Sequence, residues 1–231
     1  MNSVLTFFAA YTYLFGAIIF FILWCIVFLK KGINRKEMLI YGVIFGIAAV
    51  LIDIKYALHD YWHPVYLFPM FHLEDFLYGF FFGGLCTQIY FFFFETKERA
   101  TKNHHPIFGI FALVISIVSF VLITDILKLN SIIAHIVPPL LIGMYIAYKN
   151  PKTVVIQVAA GLFATMVTFV VFKLALLINH DAILEIWYLD NLTGVLLLGI
   201  PLEEYLFAFS LGFGISLFHE FISGKQIVLR K

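Results

Sequence analysis

The stretch 200-IPLEEYLFAFSLGFGISLF-218 decides the fold: two adjacent glutamates, Glu203 and Glu204, follow a proline inside an otherwise apolar run. Charge is costly to keep in such a setting, and intramembrane carboxyls usually face an interior cavity and pair with other groups. The rest of the chain places the run in a membrane. Of the 231 residues 63% are hydrophobic and 13% charged, and the mean hydropathy is +1.00. That balance excludes an ordinary soluble domain. Runs at about 4–29, 38–54, 76–94, 106–127, 153–178 and 193–222 are long enough to span, and 131–148 is marginal but readable as a span. The sequence therefore predicts an all-α fold, a polytopic membrane bundle of seven transmembrane helices in a single integral membrane domain, 1–231.

The first run lacks a basic n-region and a small-residue cleavage site, which predicts a retained helix and not a signal peptide. Cys25 and Cys86 fall inside predicted helices and give no disulfide or CxxC metal signal. A net charge of +1 without a basic stripe argues against nucleic acid as a partner. Basic residues accumulate in alternate loops: Lys30, Lys31, Arg35 and Lys36, then Lys97, Arg99 and Lys102, then Lys149 and Lys152, then Lys225, Arg230 and Lys231. The opposite side holds Lys55 and Lys128, with Lys173 near a helix end. Twelve of the fifteen thus share one side, which predicts a cell-membrane protein with its N-terminus outside and its C-terminus cytoplasmic.

A second copy of the opening motif lies upstream. The segment 71-FHLEDFLYGFFFGG-84 aligns without gaps on 200-IPLEEYLFAFSLGF-213, matching Leu73 to Leu202, Glu74 to Glu203, Asp75 to Glu204, Leu77 to Leu206 and Gly83 to Gly212. A tryptophan precedes each acidic pair, Trp62 and Trp187. This pattern predicts two parallel three-helix repeats, 1–95 and 131–231, joined by a connector helix in 104–130. Chance recurrence of Leu-Glu-acid in apolar helices is the alternative.

On that topology Asp53 and Lys55 end the second helix, and Glu74 and Asp75 open the third. Lys173 lies near the end of the sixth, Glu203 and Glu204 sit in the seventh, and His135 begins the fifth. Two readings of Glu203 and Glu204 stand. If the membrane begins at the run Val195–Ile200, the pair is buried and Pro201 kinks the helix beside it. If Pro201 starts the helix, the acids lie in the first turn at the interface. A desolvated carboxylic acid holds its proton, more so beside a second carboxyl, so a buried pair is a Brønsted acid suited to an apolar substrate. Aromatics make up 19% of the chain, including 28 phenylalanines. Phenyl faces can stabilise a passing cation without attacking it, although most of these rings read as packing or lipid-facing groups.

The motif 201-PLEEYLFAF-209, the degenerate copy 72-HLEDFLYGF-80, the upstream tryptophans and the seven-helix layout resemble the flavin-free lycopene cyclase domain family in its fused form. The resemblance implies cyclisation of the ψ-ends of lycopene, or a related polyene, to β-rings without net redox change. An acid protonates the terminal alkene, the carbocation closes a ring and a base removes a neighbouring proton. It implies Glu203 and Glu204 as acid and base, with Glu74 and Asp75 at the matching place. Asp53 resembles an aspartate before the family's tryptophan, and 59-HDYWHP-64 is loosely like its loop. His72 stands where the family has proline, and Asp75 replaces a glutamate. No cofactor and no metal are implied. The expected partners are a polyene from the lipid phase and membrane lipid, with homo-oligomerisation left open.

Other functions match parts of the same sequence. A CAAX-type intramembrane protease also carries Glu-Glu, but its following arginine is missing here. A metal site would use His59 and His63 with Asp60 and Glu74, yet no HExxH occurs. A proton-coupled transporter or channel would suit the repeat and the carboxylates near Lys173. A retinal protein would want a lysine in the last helix, which is lacking.

Overall fold

The computed structural model describes residues 3–92, 94, 96–100 and 105–229. It is mostly helical, 79%. The N-terminal run forms α1 (Ser3–Ala10) and α2 (Thr12–Leu29). They separate at Tyr11, where Thr12 Oγ1 donates back to Ala9 O at 3.1 Å, a side-chain bond that competes with the helical ladder. A turn through Gly32, at φ 92°, leads to α3 (Arg35–Ile52). Its start is capped by Asn34, whose Oδ1 accepts from Glu37 N–H at 3.2 Å while its Nδ2 donates to Glu37 Oε2 at 3.1 Å. A π-helical turn, Asp53–Ala57, and the short α4 (Leu58–Asp60) extend α3.

Next come α5 (Leu73–Gln88), a 3-10 turn Ile89–Phe92, and β1 (Thr96–Ala100). Then follow α6 (Pro106–Phe120) with a π-helical continuation Val121–Ile126, α7 (Ser131–Lys149), α8 (Val154–Ile178) and α9 (His180–Ile186). The strands β2 (Leu196–Leu197) and β3 (Ile200–Pro201) precede α10 (Leu202–Ile215), α11 (Phe218–Ser223) and β4 (Lys225–Leu229).

Six helical segments of the described residues are long and apolar enough to cross a membrane: Thr12–Leu29, Arg35–Asp60, Pro106–Ile126, Ser131–Lys149, Pro151–Ile178 and Leu202–Ser223. The marginal run 131–148 is among them. The predicted span 76–94 is not: its α-helix, Leu73–Gln88, is 16 residues long and gives way to a 3-10 turn at Ile89. The predicted span 193–222 is shorter than expected. Residues 196–201 form a hairpin instead of helix, turning at Leu198 and Gly199 with φ 53° and 82°, the positive-φ pair of a tight hairpin turn. Lys173 Nζ donates to Leu198 O at 3.0 Å and holds that turn. Two short sheets therefore join the helices. In the second, β1 pairs antiparallel with β4, from Thr96 opposite Leu229 to Ala100 opposite Lys225. This ribbon joins two segments whose basic residues had placed them on one side; Lys102, Arg230 and Lys231 lie outside the described residues.

The chain divides into two compact units, residues 1–85 with 166–205, and 86–165 with 206–231. In the first, α5 lies against α3 through glycines. A Cβ added at Gly79 would come within 2.6 Å of Phe45 O, one at Gly83 within 2.5 Å of Phe45 Cβ, and one at Gly42 within 3.0 Å of Phe80 O. In the second, α10 lies against α8 likewise. A Cβ at Gly212 would meet Ala160 O at 2.7 Å and Ala164 Cβ at 2.8 Å, and one at Gly161 would meet Phe209 O at 3.0 Å. Small residues at such crossings let backbones approach where lipid supplies no hydrophobic drive. The second unit also buries Ala112, Ile142, Ile146 and Phe221 against Phe108, Phe218 and Ile222.

Candidate functional site: a buried carboxyl cluster

The five acids singled out in the sequence all belong to the first unit, and all are buried: Glu74 and Asp75 at 0% exposure, Glu204 at 3%, Glu203 at 5% and Asp53 at 6%. Both sequence readings of Glu203 and Glu204 hold a part of the outcome. The helix starts at Leu202, with the acids in its first turn and Pro201 in the strand before it. Yet the pair is enclosed, because the preceding loop folds over the turn.

The first acid of each pair clamps that loop. Glu203 Oε1 accepts the Thr193 N–H at 2.7 Å. Glu74 Oε1 accepts the N–H groups of Leu67 at 2.6 Å and Phe68 at 3.2 Å. In both, the other oxygen, Oε2, is buried without a hydrogen-bond partner among the described residues. A buried polar atom left over in this way demands a chemical account.

The second acid of each pair receives side-chain donors. The Tyr61 hydroxyl and Trp187 Nε1 both donate to Glu204 Oε1, the indole at 2.9 Å. The Tyr66 hydroxyl lies 3.0 Å from both oxygens of Asp75, and His72 Nδ1 lies 2.9 Å from its Oδ2. Burial, then the neighbouring Glu204, pushes the Tyr61 hydroxyl well above its usual pKa. Burial, then Asp75 and Asp53, does the same to Tyr66. Both phenols therefore stay protonated and act as donors.

Asp53 opens the π-helical turn at the end of α3, a local irregularity often found at functional sites. It lies within electrostatic reach of Asp75 and Glu204. The two tryptophans that precede the acid pairs meet: Trp62 and Trp187 form an isolated antiparallel bridge, with His63 N–H donating to Ile186 O at 2.7 Å and Tyr188 N–H to Tyr61 O at 2.9 Å. That bridge carries Tyr61 and Trp187 to the same carboxylate oxygen. A small cavity of about 20 Å³ lies among Tyr13, Trp62, Tyr78, Phe172 and Trp187. Trp187 in its wall donates to Glu204, and Tyr13 in its wall acts on Asp75.

Sequence reasoning missed Tyr61, Tyr66 and Tyr13. Tyr61 stood inside the quoted HDYWHP loop, and its adjacency to Trp62 was the available signal. The metal candidates are engaged elsewhere: His59 Nε2 lies 3.2 Å from Ile54 O, and the His63 ring lies 4.4 Å from that of Tyr188. Among the described residues no three His, Cys, Asp or Glu side chains are grouped to hold a metal ion. His135 belongs to the second unit, its Nδ1 2.9 Å from Ser131 O and its ring between Phe120 and Phe207.

No curated protein and no solved structure matches the chain. Residues 129–222, less than half of the chain, match the family model described as lycopene cyclase. This segment runs from just before α7 into α11 and contains Pro201–Phe209, so the part of the chain that holds Glu203 and Glu204 is similar to the lycopene cyclase family.

Proposed function

We propose that the chain is a multi-pass membrane enzyme of lycopene cyclase type, an isomerase that closes the ψ-ends of lycopene or a related polyene into β-rings. The observation that carries the reading is the buried Glu203–Glu204 pair, with one oxygen of Glu203 unpartnered, inside the segment similar to that family. The matched glycine crossings, the matched acid pairs and the Trp62–Trp187 bridge support two three-helix repeats, with α6 as connector and α5 as the seventh span. The loop charges support an N-terminus outside and a C-terminus in the cytoplasm.

In this reading a proton on Glu203 Oε2 adds to the terminal alkene, because that oxygen has no hydrogen bond to break first. The carbocation closes on the next double bond. Glu204, fixed by Tyr61 and Trp187, takes a proton from the ring carbon beside the cation. One proton enters the hydrocarbon and one leaves, and no electrons are exchanged. A positioned acid or base contributes about 10²–10⁴-fold to such a step. The aromatic walls shield the cation from water. A cavity of about 20 Å³ holds little more than one water, so the polyene end enters only as these side chains part. Glu74, Asp75 and Asp53 form the corresponding group in the other repeat.

Expression in lycopene-accumulating bacteria tests the proposal. Wild type shifts the pigment from red to yellow-orange, and Glu204→Gln abolishes the shift. An unchanged pigment profile with well-expressed wild type defeats the activity, and pH-driven ion flux in liposomes from that protein would favour a transporter.

A further inference from the structure

Among the aligned positions at which the two copies differ is the one two residues before each acid pair, where the first has His72 and the second has Pro201. We infer that His72 is a proton-relay residue, through which the enclosed carboxyls exchange protons with water. The inference rests on the proposed cyclisation for its purpose, though not for its geometry.

Four observations carry it. His72 Nδ1 lies 2.9 Å from Asp75 Oδ2, with the imidazole side chain 20% exposed and Asp75 at 0%. The contact therefore bridges the boundary of the cluster. His72 holds φ 45°, a left-handed conformation uncommon outside glycine; strain of that kind persists where the surroundings over-determine it. The other groups facing this point are poor shuttles. Tyr66, whose ring lies 5.0 Å from the imidazole, is held protonated by burial and by Asp75 and Asp53, and Tyr13 is enclosed beside Asp75. Glu74, on the same turn, holds the Leu67 and Phe68 N–H groups through Oε1 and is 0% exposed, so neither of its oxygens reaches water. Finally, Asp53 interacts with both Asp75 and Glu204, so the acids of both repeats are electrostatically linked to the carboxyl that His72 touches. Imidazole is the side chain that changes charge near neutral pH; proline, at the same place in the second repeat, carries no side-chain proton.

The chemistry gives such an outlet its use. Proton addition and proton loss fall on different carboxyls, so each turnover leaves one acid without its proton and one base with an extra one. Restoring the start moves a proton between them or exchanges it with solvent. The route from Asp75 Oδ2 to His72 Nδ1, with Nε2 releasing a proton to water, balances without oxidant or reductant.

The test uses full-length protein in lipid and follows exchange of the carboxylic C=O stretch after a change to heavy water, by infrared spectroscopy. Two variants tolerate the positive φ: His72→Asn, which keeps a polar contact and cannot relay, and His72→Gly. Exchange is expected to slow about a hundredfold in both, with unchanged amide bands, and to recover in His72→Gly when imidazole is added. Exchange as fast in His72→Asn as in wild type overturns the inference, as does imidazole failing to restore it, or the absence of any carboxylic band in wild type. Cyclisation is scored separately. A wild type inert towards lycopene whose exchange still depends on His72 upholds the relay and defeats the cyclase reading.

Discussion

In the proposed reaction Glu203 is both loop clamp and proton donor, and substitution there separates the two roles. Glutamine keeps a carbonyl oxygen to accept the Thr193 N–H, bonded at 2.7 Å in the wild type, and replaces the unpartnered Oε2 by a group that cannot protonate an alkene. Alanine removes both functions. Loss of an acid from the chemical step costs about 10²–10⁴-fold, which is about 3–5 kcal/mol of transition-state stabilisation. Loss of the clamp costs about 1–3 kcal/mol of stability, toward the lower end because Thr193 is exposed. Glu203→Gln should therefore keep wild-type thermal stability within about 1 kcal/mol and lose nearly all activity. Glu203→Ala should lose both. Initial rates of β-ring formation in lipid dispersions, set beside unfolding of the purified proteins, measure the two quantities. A Glu203→Gln enzyme turning over at the wild-type rate would refute the reasoning and reduce Glu203 to a clamp.

Two further predictions concern neighbouring structure. Tyr61→Phe and Trp187→Phe each delete one donor to Glu204 Oε1 while keeping an aromatic ring; each should lower the cyclisation rate about tenfold, the equivalent of about 1.4 kcal/mol, near the top of the net range for one hydrogen bond, with little change in protein yield. Gly212→Val places a side chain against Ala160 O, where even a Cβ would stand at 2.7 Å, and should destabilise the solubilised protein by about 1–3 kcal/mol. Gly109→Ala meets only Ile222 at 3.7 Å and should leave stability equal or raise it by up to about 1 kcal/mol; thermal unfolding of the pair checks both.

Much of the site was legible because burying charge is costly. Acids at matched places in two apolar segments pointed to enclosure as one of two readings, and Glu74, Asp75, Glu203 and Glu204 are buried. Trp62 and Trp187 could be matched by sequence, but only coordinates could bring them into one bridge. The hairpin 196–201 was hidden because Val195–Ile200 is uniformly apolar. Hydropathy does not distinguish a membrane helix from a short apolar hairpin, and the determinant was backbone conformation at Leu198 and Gly199. The ribbon of β1 and β4 was hidden for the opposite reason: TKERA has no apolar periodicity to announce a strand. Tyr61, Tyr66 and Tyr13 are three of twelve tyrosines, and tertiary position alone sets them apart. The clamps at Glu74 and Glu203 bind backbone donors, which no sequence pattern marks.

In the proposed reaction a protein-held proton is added to a hydrocarbon inside the buried cluster. Conversion of lycopene by the lipid-reconstituted wild type in heavy water, with mass analysis of the product, tests it most directly. One deuterium is expected for each ring formed, and no labelled product from Glu203→Gln. Rings formed without deuterium, or lycopene recovered unchanged, would contradict it.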